Sequence, residues 1–450
     1  MKKVLIANRG EIAHRILKTC HELGIETIAI YSDADKDLPY VKEATIAFRV
    51  GEPPVAKSYL QTEVILDIAV REGADAIHPG YGFLSENASF AKAVEEKGIT
   101  FIGPKSDVLS LMGDKVAARA TMVEAGVPVV PGTEKSTDTV EQACLLASEI
   151  GYPVMLKASG GGGGIGMQRC EDEASLVNAF QTTKGRAKAY FGNEKVFIEK
   201  FISDARHVEI QLFGDQYGNI VHLFERDCSI QRRNQKVIEE SPSPLLTEKT
   251  RQKMCDAALL AAKSVNYVNA GTIEFIVDEK ENFYFLEMNT RLQVEHRVTE
   301  MVTGLDLVKW QLLIASGEKL PLQQDEIDHL GHAIEFRIYA EDPVKFLPSP
   351  GKITAFSYPH FDGVIIDQAY TEGNSVTPFY DPLLAKVIVH DDNRTKAIEK
   401  AKNYLTQVEI EGVKTNLPLF INILGDSSFQ EGYYTTSFLN GKKVNGAPSI

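Results

Sequence analysis

Within residues 283–296, FYFLEMNTRLQVEH, the polar side chains Glu287, Asn289, Arg291, Gln293 and Glu295 all take odd numbers. The even positions carry Tyr284, Leu286, Met288, Thr290, Leu292 and Val294. An extended chain points successive side chains to opposite faces, so this spacing lines two carboxylates, two amides and a guanidinium along one side. A solvated surface strand would show the same alternation. The preceding segment GTIEFIV (271–277) narrows the choice. If it pairs with FYFLEMN across the polar turn DEKEN, Glu274 falls opposite Glu287. Directly opposed carboxylates sit about 5 Å apart and repel. A divalent cation turns that cost into binding, and the hard oxygens of Glu274, Glu287 and Asn289 suit Mg²⁺ or Mn²⁺. An exposed hairpin in another register is the alternative.

Arg291, Gln293 and Glu295 follow the carboxylates directly. An arginine grips a small planar anion through two parallel hydrogen bonds. A nearby carboxylate takes the anion's proton if burial raises its pKa. Arg337, in HAIEFRIYAED, alternates with Ile334, Phe336 and Ile338 and so faces away from the apolar side. It completes the same pocket or pairs with Glu335 or Glu341.

KASGGGGGIGM (157–167) is a second constellation. Gly160–Gly164 and Gly166 leave backbone N–H groups free to close over phosphate, and Lys157 ends the strand that feeds them. No Lys-Ser/Thr follows the glycines, so the P-loop pattern is absent. A mobile phosphate lid is expected here in preference to a flexible linker. Glu199-Lys200 ends the strand VFIEK, as an adenine-reading pair or a surface charge pair. His207 and Glu209 share one face of RHVEI. Arg226, Arg232, Arg233 and Lys236 cluster in ERDCSIQRRNQKVIEE (225–240), either on a solvated face or around a buried anion. Cys228 reads as a core thiol.

These residues need elements to hold them. Residues 1–113 alternate short apolar strands (4–7, 27–31, 75–78, 100–103) with helices, the first over 11–23. That is the signature of a parallel sheet. NRGEIA is not GxGxxG, so no dinucleotide site is indicated. HPGYGFLSEN (78–87) is a Gly-rich loop at the end of a strand, where open sheets place ligands. Residues 204–330 read as antiparallel, and a fresh strand opens near 331, with a helix over 394–407. The expected class is α/β (α+β overall). The expected domains are 1–113, 114–330 with a lid over about 130–203, and a β-rich 331–450.

The net charge of −14 argues against a nucleic-acid partner or a basic membrane anchor. No apolar run is long enough to span a bilayer. The N-terminal apolar run stops at Asn8 and Arg9, as a buried strand does and a signal peptide does not. Five cysteines without CxxC spacing fit free thiols in the cytoplasm.

Taken together, NRGEIA, HPGYGFLSEN, FIGP, GDK, KASGGGGG, HVEIQ, ERDCS, QRR-QK, EMN-R-QVEH and FLPSPGKI resemble biotin carboxylase over essentially the whole chain. This is the ATP-grasp component of biotin-dependent carboxylases. The resemblance implies ATP, Mg²⁺ or Mn²⁺, bicarbonate, and a biotin tethered to a carrier protein. It also implies an N-terminal Rossmann-like sheet domain, an ATP-grasp domain and a homodimer. By matching positions, it implies that Glu295 deprotonates bicarbonate. Arg291, Gln293, the Val294 backbone and Lys236 hold bicarbonate, and Arg337 stabilises the biotin enolate. Lys115, Lys157, Gly162, Gly163, Gly164 and Gly166 hold phosphates. Glu199, Lys200, His207, Gln231 and Asn234 line the nucleotide pocket. Glu274, Glu287 and Asn289 hold metal, and Tyr81 borders biotin.

Three positions depart from the family pattern: Ile165 for a basic residue, Asn234 for histidine and Arg297 for proline. The first two remove positive charge near the phosphates. The only Met-Lys is Met1-Lys2, so carrier and carboxyltransferase are expected on other chains. The acceptor is expected to be an acyl-CoA, with acetyl-CoA and fatty acid biosynthesis foremost, and pyruvate or urea as alternatives. Two other readings stand beside this one. One is a different ATP-grasp ligase, which QVEH and the third region disfavour. The other is a non-catalytic scaffold, which the intact Glu274, Glu287, Arg291, Glu295 and Arg337 set disfavours.

Overall fold

The computed structural model describes residues 1–133, 136–159 and 166–440. Gly162, Gly163, Gly164 and Ile165, the heart of the expected lid, lie outside the described residues.

The first strands are short and apolar because both their faces are covered. Strands β1 (Lys3–Ile6), β2 (Glu26–Ser32), β3 (Ile46–Gly51), β4 (Ala76–His78) and β5 (Thr100–Phe101) form one parallel sheet, ordered β3-β2-β1-β4-β5. Helix Gly10–Glu22 lays Ile12, Ile16 and Cys20 into the core on one side, while Leu5, Ile28 and Ile77 fill the other. A smaller sheet of β6 (Val154–Ala158), β7 (Met167–Cys170) and β8 (Val196–Lys200) carries its own apolar cluster beneath helices Val140–Ile150 and Glu173–Phe191.

An eight-stranded antiparallel sheet builds most of the site. Its strands include β9 (Arg206–Gly214), β10 (Ile220–Arg232), β11 (Gln235–Ser241), β12 (Asn269–Val277), β13 (Phe283–Asn289) and β14 (His332–Tyr339). The order is β13-β12-β9-β10-β11-β14, followed by the strands Leu383–Asp391 and Val364–Gln368. The sheet therefore runs without a break from the residues before 330 into those after it. Val208, Ile210, Ile273, Phe275 and Met288 pack one face against Met254, Ala258 and Ala261 of helix Glu248–Ser264. Each fully buried side chain of this kind contributes about 1.5–3 kcal/mol. His207, Glu209 and Gln211 alternate with them on the opposite face, yet every residue of β9 is buried. The alternation thus marks two covered faces, one apolar and one polar, rather than a solvated edge.

Two details of β13 differ from simple alternation. Val277, Ile276 and Phe275 pair with Phe283, Tyr284 and Phe285, but Glu274 pairs with Glu287. Leu286 is therefore an extra residue, and this bulge puts Phe285 and Met288 on one face although their numbers differ in parity. The expected opposition of Glu274 and Glu287 is present because of the bulge. The strand also ends at Asn289, so the expected extended course to Glu295 is not found. Residues 294–295 form a turn, and Glu295 begins helix His296–Thr303 with φ −81° and ψ 14°.

On β11, alternation puts Glu239 and Glu240 on opposite faces. Glu240 accepts from Arg394 Nε (2.7 Å), His332 Nε2 (2.5 Å) and Tyr434 Oη (2.5 Å), clamping the strand to the C-terminal region. Burial alone would raise this carboxyl. Arg394 and His332 outweigh burial and bring it down to about 2, below its ordinary 4.5. A depressed carboxylate stabilises the fold above its unfolded pKa, and that contribution is lost as pH falls toward 2. Glu240→Gln is expected to flatten the acid limb of stability between about pH 4.5 and 2, by about 3 kcal/mol over that span. Denaturation midpoints measured across that range check it, and a slope equal to wild type would refute it. Among the described residues no helix is long and apolar enough to cross a membrane.

Candidate active site

The sheet register builds a row of charge. Glu287, Glu274, Glu209 and Arg226 stand opposite one another on β13, β12, β9 and β10. Three acids in line would repel, and cations set among them offset the cost. Arg226, fully buried, donates to Glu209 Oε1 (2.6 Å), Gln211 Oε1 (2.7 Å), Thr272 Oγ1 (3.1 Å) and Thr299 Oγ1 (3.0 Å). Lys236 Nζ reaches three carboxylates: Glu209 (2.7 Å), Glu274 (2.9 Å) and Glu295 (2.7 Å). Burial alone would lower the Lys236 ammonium, but Cys228 and these acids hold it well above its ordinary value. Lys115 Nζ pairs with Glu287 at 2.9 Å.

Arg226, Arg232, Arg233 and Lys236 share neither one solvated face nor one buried anion. Arg226 spends its donors within the sheet, and Arg232 pairs with Glu341. Arg233 is exposed, and with Asn234 it turns the β10–β11 hairpin at φ 50° and 65°. Of the four, only Lys236 joins Glu209, Glu274 and Glu295 together.

The end of β13 and the following turn bring the next groups together by folding back. Arg291 donates to Asn289 Oδ1 (2.8 Å), Gln293 Oε1 (2.8 Å) and Glu86 Oε2 (2.9 Å). Gln293 Nε2 donates to Glu274 Oε1 (3.1 Å). Arg337 Nη2 meets Glu295 Oε2 at 2.9 Å and also Glu239, instead of Glu335 or Glu341. Lys386, fully buried, donates to the Val294 carbonyl at 2.8 Å and fixes the turn from behind.

The electrostatics correct one expectation. Burial alone would raise Glu295, but Lys236, Arg337 and Arg226 together hold it far below the carboxylate range. Glu274 is likewise low, because Lys236 and His207 outweigh its burial. Glu295 is therefore ionised and ready to accept a proton, with little affinity for one until another anion engages its cations.

A second part of the cleft carries the other expected groups. His207 Nε2 lies 3.0 Å from Glu274 Oε2, and its Nδ1 meets Gln231 Nε2 at 2.9 Å. Lys157 Nζ is 2.5 Å from Glu199 Oε2, and Lys200 Nζ donates to the carbonyls of Gly151 (2.7 Å) and Tyr152 (3.0 Å). Gly132 presses on this strand: a Cβ there would lie 2.6 Å from the Ile198 carbonyl oxygen. Tyr81 borders the far side, its carbonyl held by Asn8 Nδ2 at 2.8 Å. Every expected site residue among those described, except Gly166, lines one cleft of about 1460 Å³. Gly166 sits at φ 78°, the left-handed region that favours glycine, just ahead of β7.

The donor set fits a divalent cation. Glu274 and Glu287 are opposed, Asn289 adds an amide oxygen, and an ammonium now neutralises each acid. The Asn289 Nδ2 group is buried without an acceptor among the described residues.

The sequence singles out Glu209 and Arg226 without giving either a role in the site, and it gives no role to Glu86 or Lys386. Glu209 shares a face with His207, so alternation alone was a usable signal. Lys386 reaches the site from a distant strand that no local pattern marks, while Glu86 lies in the Gly-rich loop HPGYGFLSEN, which did point to ligand binding.

Three family models match the chain. "Biotin carboxylase, N-terminal domain" covers residues 1–109, "Carbamoyl-phosphate synthase L chain, ATP binding domain" covers 114–323, and "Biotin carboxylase C-terminal domain" covers 335–441. The chain is 58% identical over 437 residues to biotin carboxylase 2 of Bacillus subtilis, covering 97% of this chain and 98% of that one. It superposes with TM-score 0.95, at 50% identity and 97% coverage of both chains, on the biotin carboxylase domain dimer of Hydrogenobacter thermophilus 2-oxoglutarate carboxylase, a complex with MgADP, ADP and bicarbonate. It also superposes with TM-score 0.96, at 46% identity, on the β,γ-ATP complex of Campylobacter jejuni biotin carboxylase, covering 97% of this chain and 98% of that one.

Proposed function

The chain belongs to the biotin carboxylase family and is an ATP-dependent ligase, and from that premise we propose the reaction and the role of each residue. It carboxylates N1 of biotin on a separate carrier protein, using ATP and bicarbonate, as the first half-reaction of a biotin-dependent carboxylase. A carboxyltransferase on another chain completes the cycle. An acyl-CoA, acetyl-CoA first among them, is our preferred acceptor. One relative is instead the biotin carboxylase domain of a 2-oxoglutarate carboxylase. The working unit is a homodimer, as in that relative. Its five cysteines carry no disulfide, which supports a reducing cytoplasm.

One observation carries the assignment of roles. A carboxylate pair able to hold metal, an arginine–glutamine pair and a carboxylate–arginine pair all face one cleft, linked through Lys236. Arg291 and Gln293 hold bicarbonate, with the Val294 backbone and Lys236. Bicarbonate is an anion, so it competes with Glu295 for Lys236 and weakens the field that keeps Glu295 acidic. Glu295 then takes the bicarbonate proton while the freed oxygen attacks the γ-phosphorus, and ADP leaves. The carboxyphosphate breaks into CO₂ and phosphate. That phosphate takes the N1 proton of biotin, Arg337 stabilises the enolate, and N1 captures CO₂. Glu274, Glu287 and Asn289 hold Mg²⁺, which when bound neutralises phosphate charge. Lys115, Lys157 and Gly162, Gly163, Gly164 and Gly166 hold phosphates. Glu199, Lys200, His207, Gln231 and Asn234 face the nucleotide, and Tyr81 faces biotin.

ATP hydrolysis measured with and without free biotin and bicarbonate tests this reading. Turnover that needs both supports it, and turnover indifferent to biotin overturns it. In the same assay Glu287→Gln is expected to raise the Mg²⁺ concentration for half-maximal rate by roughly tenfold or more. An unchanged Mg²⁺ dependence removes Glu287 from the metal site.

A further inference from the structure

Behind Arg337 lies a pair of acids that the reaction above does not use. Glu239 on β11 stands directly opposite Glu335 on β14. Both are fully buried. Opposed side chains in such a pair are about 5 Å apart, and burial strengthens their repulsion. Neither oxygen of Glu335 accepts a hydrogen bond from a described residue. Among the described residues Glu239 forms one ion pair, with Arg337 Nη2.

The charged and titratable groups facing the pair are Arg337, Glu295, Lys236, Lys386, Tyr339 and Cys228. The cations among them are already committed. Lys236 serves Glu209, Glu274 and Glu295. Lys386 lies 3.3 Å from Glu11 and donates to the Val294 carbonyl. Arg337 is shared by Glu239 and Glu295. Among the described residues no cation pairs with Glu335, and a lone buried carboxylate is too costly to stay ionised.

We propose that Glu239 and Glu335 keep one proton between them and act together as positioning residues for Arg337. The proposal rests on the reading of Arg337 as the cation of the biotin step. With the proton on Glu335, Glu239 and Glu295 are the two anions that anchor Arg337 Nη2. The remaining donors, including a buried Nε without an acceptor among the described residues, stay available to the cleft that Arg337 lines. Losing the proton would add a second negative charge beside the place where the enolate forms, and would oppose it. Burial drives both acids up: Glu239 to about 7, with Arg337 pulling against the rise, and Glu335 well above the ordinary range despite Lys386.

Two isosteric variants and one spectrum test this. Glu239→Gln is expected to lower kcat/KM for free biotin by roughly tenfold or more, with the KM for ATP held within about twofold. Glu335→Gln cannot release the proton, so the alkaline fall of kcat/KM for biotin becomes shallower than in wild type. In infrared difference spectra at neutral pH, a protonated-carboxyl band present in wild type is absent from Glu335→Gln and retained in Glu239→Gln. This readout needs only folded protein. The proposal is overturned if Glu335→Gln keeps the band, or if Glu239→Gln leaves biotin kinetics unchanged or shifts the biotin and ATP parameters together. If Arg337→Ala is impaired while Glu239→Gln is not, only this proposal fails. If Arg337→Ala is also unimpaired, the underlying reading fails too.

Discussion

Lys236→Met is expected to destabilise the fold by about 3–5 kcal/mol and to abolish bicarbonate-dependent ATP turnover. The side chain is 13% exposed and touches Glu209, Glu274 and Glu295 at 2.7–2.9 Å. Methionine fills the volume but leaves these acids short of a counter-charge in a site that water barely reaches. The pH dependence gives the sharper check. In wild type, Glu274 and Glu295 titrate below their unfolded values, so their stabilising contribution is present above pH ~4.5 and is lost on acidification. Without the ammonium, burial raises them, and the variant loses stability as pH rises. The gap between wild type and variant should therefore widen from pH 5 to pH 8. Guanidinium unfolding midpoints at the two pH values measure it. A gap equal at both would mean that Lys236 is not the compensating charge.

Arg337→Ala is expected to reduce carboxybiotin formation by roughly 10²- to 10³-fold, the usual cost of losing a group that stabilises a developing oxyanion. The fold should tolerate the change better than it tolerates loss of Lys236. Glu295 keeps Lys236 at 2.7 Å, and Glu239, already raised to about 7, can accept a proton. Carboxybiotin assayed at saturating ATP and bicarbonate reads the effect. Near wild-type product formation would remove Arg337 from the biotin step. A fall matched by an equal loss of folded protein would assign it a structural role instead.

Much of this site is legible in the chain because short segments carry several of its groups at once. The run from Glu287 to Glu295 names the metal, bicarbonate and base candidates within nine positions. The hairpin turn brings Glu274 across from Glu287. The glycine run and Lys157 point to phosphate without any tertiary information. Alternation failed where backbone irregularity intervened. A bulge at Leu286 shifts the register, and the chain leaves the strand after Asn289. Glu295 nevertheless reaches Lys236 and Arg337, because a turn at the helix start aims it back over the sheet.

Residue type and local spacing, then, determined the kinds of chemistry: hard oxygens for a cation, guanidinium for a small anion, glycines for phosphate. Only the tertiary structure decided the charge state and the company each group keeps. Glu295 is expected to be high from burial alone, and is low because three cations from separate strands surround it. Arg226 and Lys236 lie ten positions apart in one basic stretch, yet one seals the sheet interior while the other joins three acids. Glu239 and Glu335 are unremarkable in sequence and become a proton-sharing pair only through the register of β11 against β14. The physical reason is common to all three. Desolvation and Coulomb interaction depend on neighbours across the sheet, and strand order sets those neighbours over separations no local pattern spans.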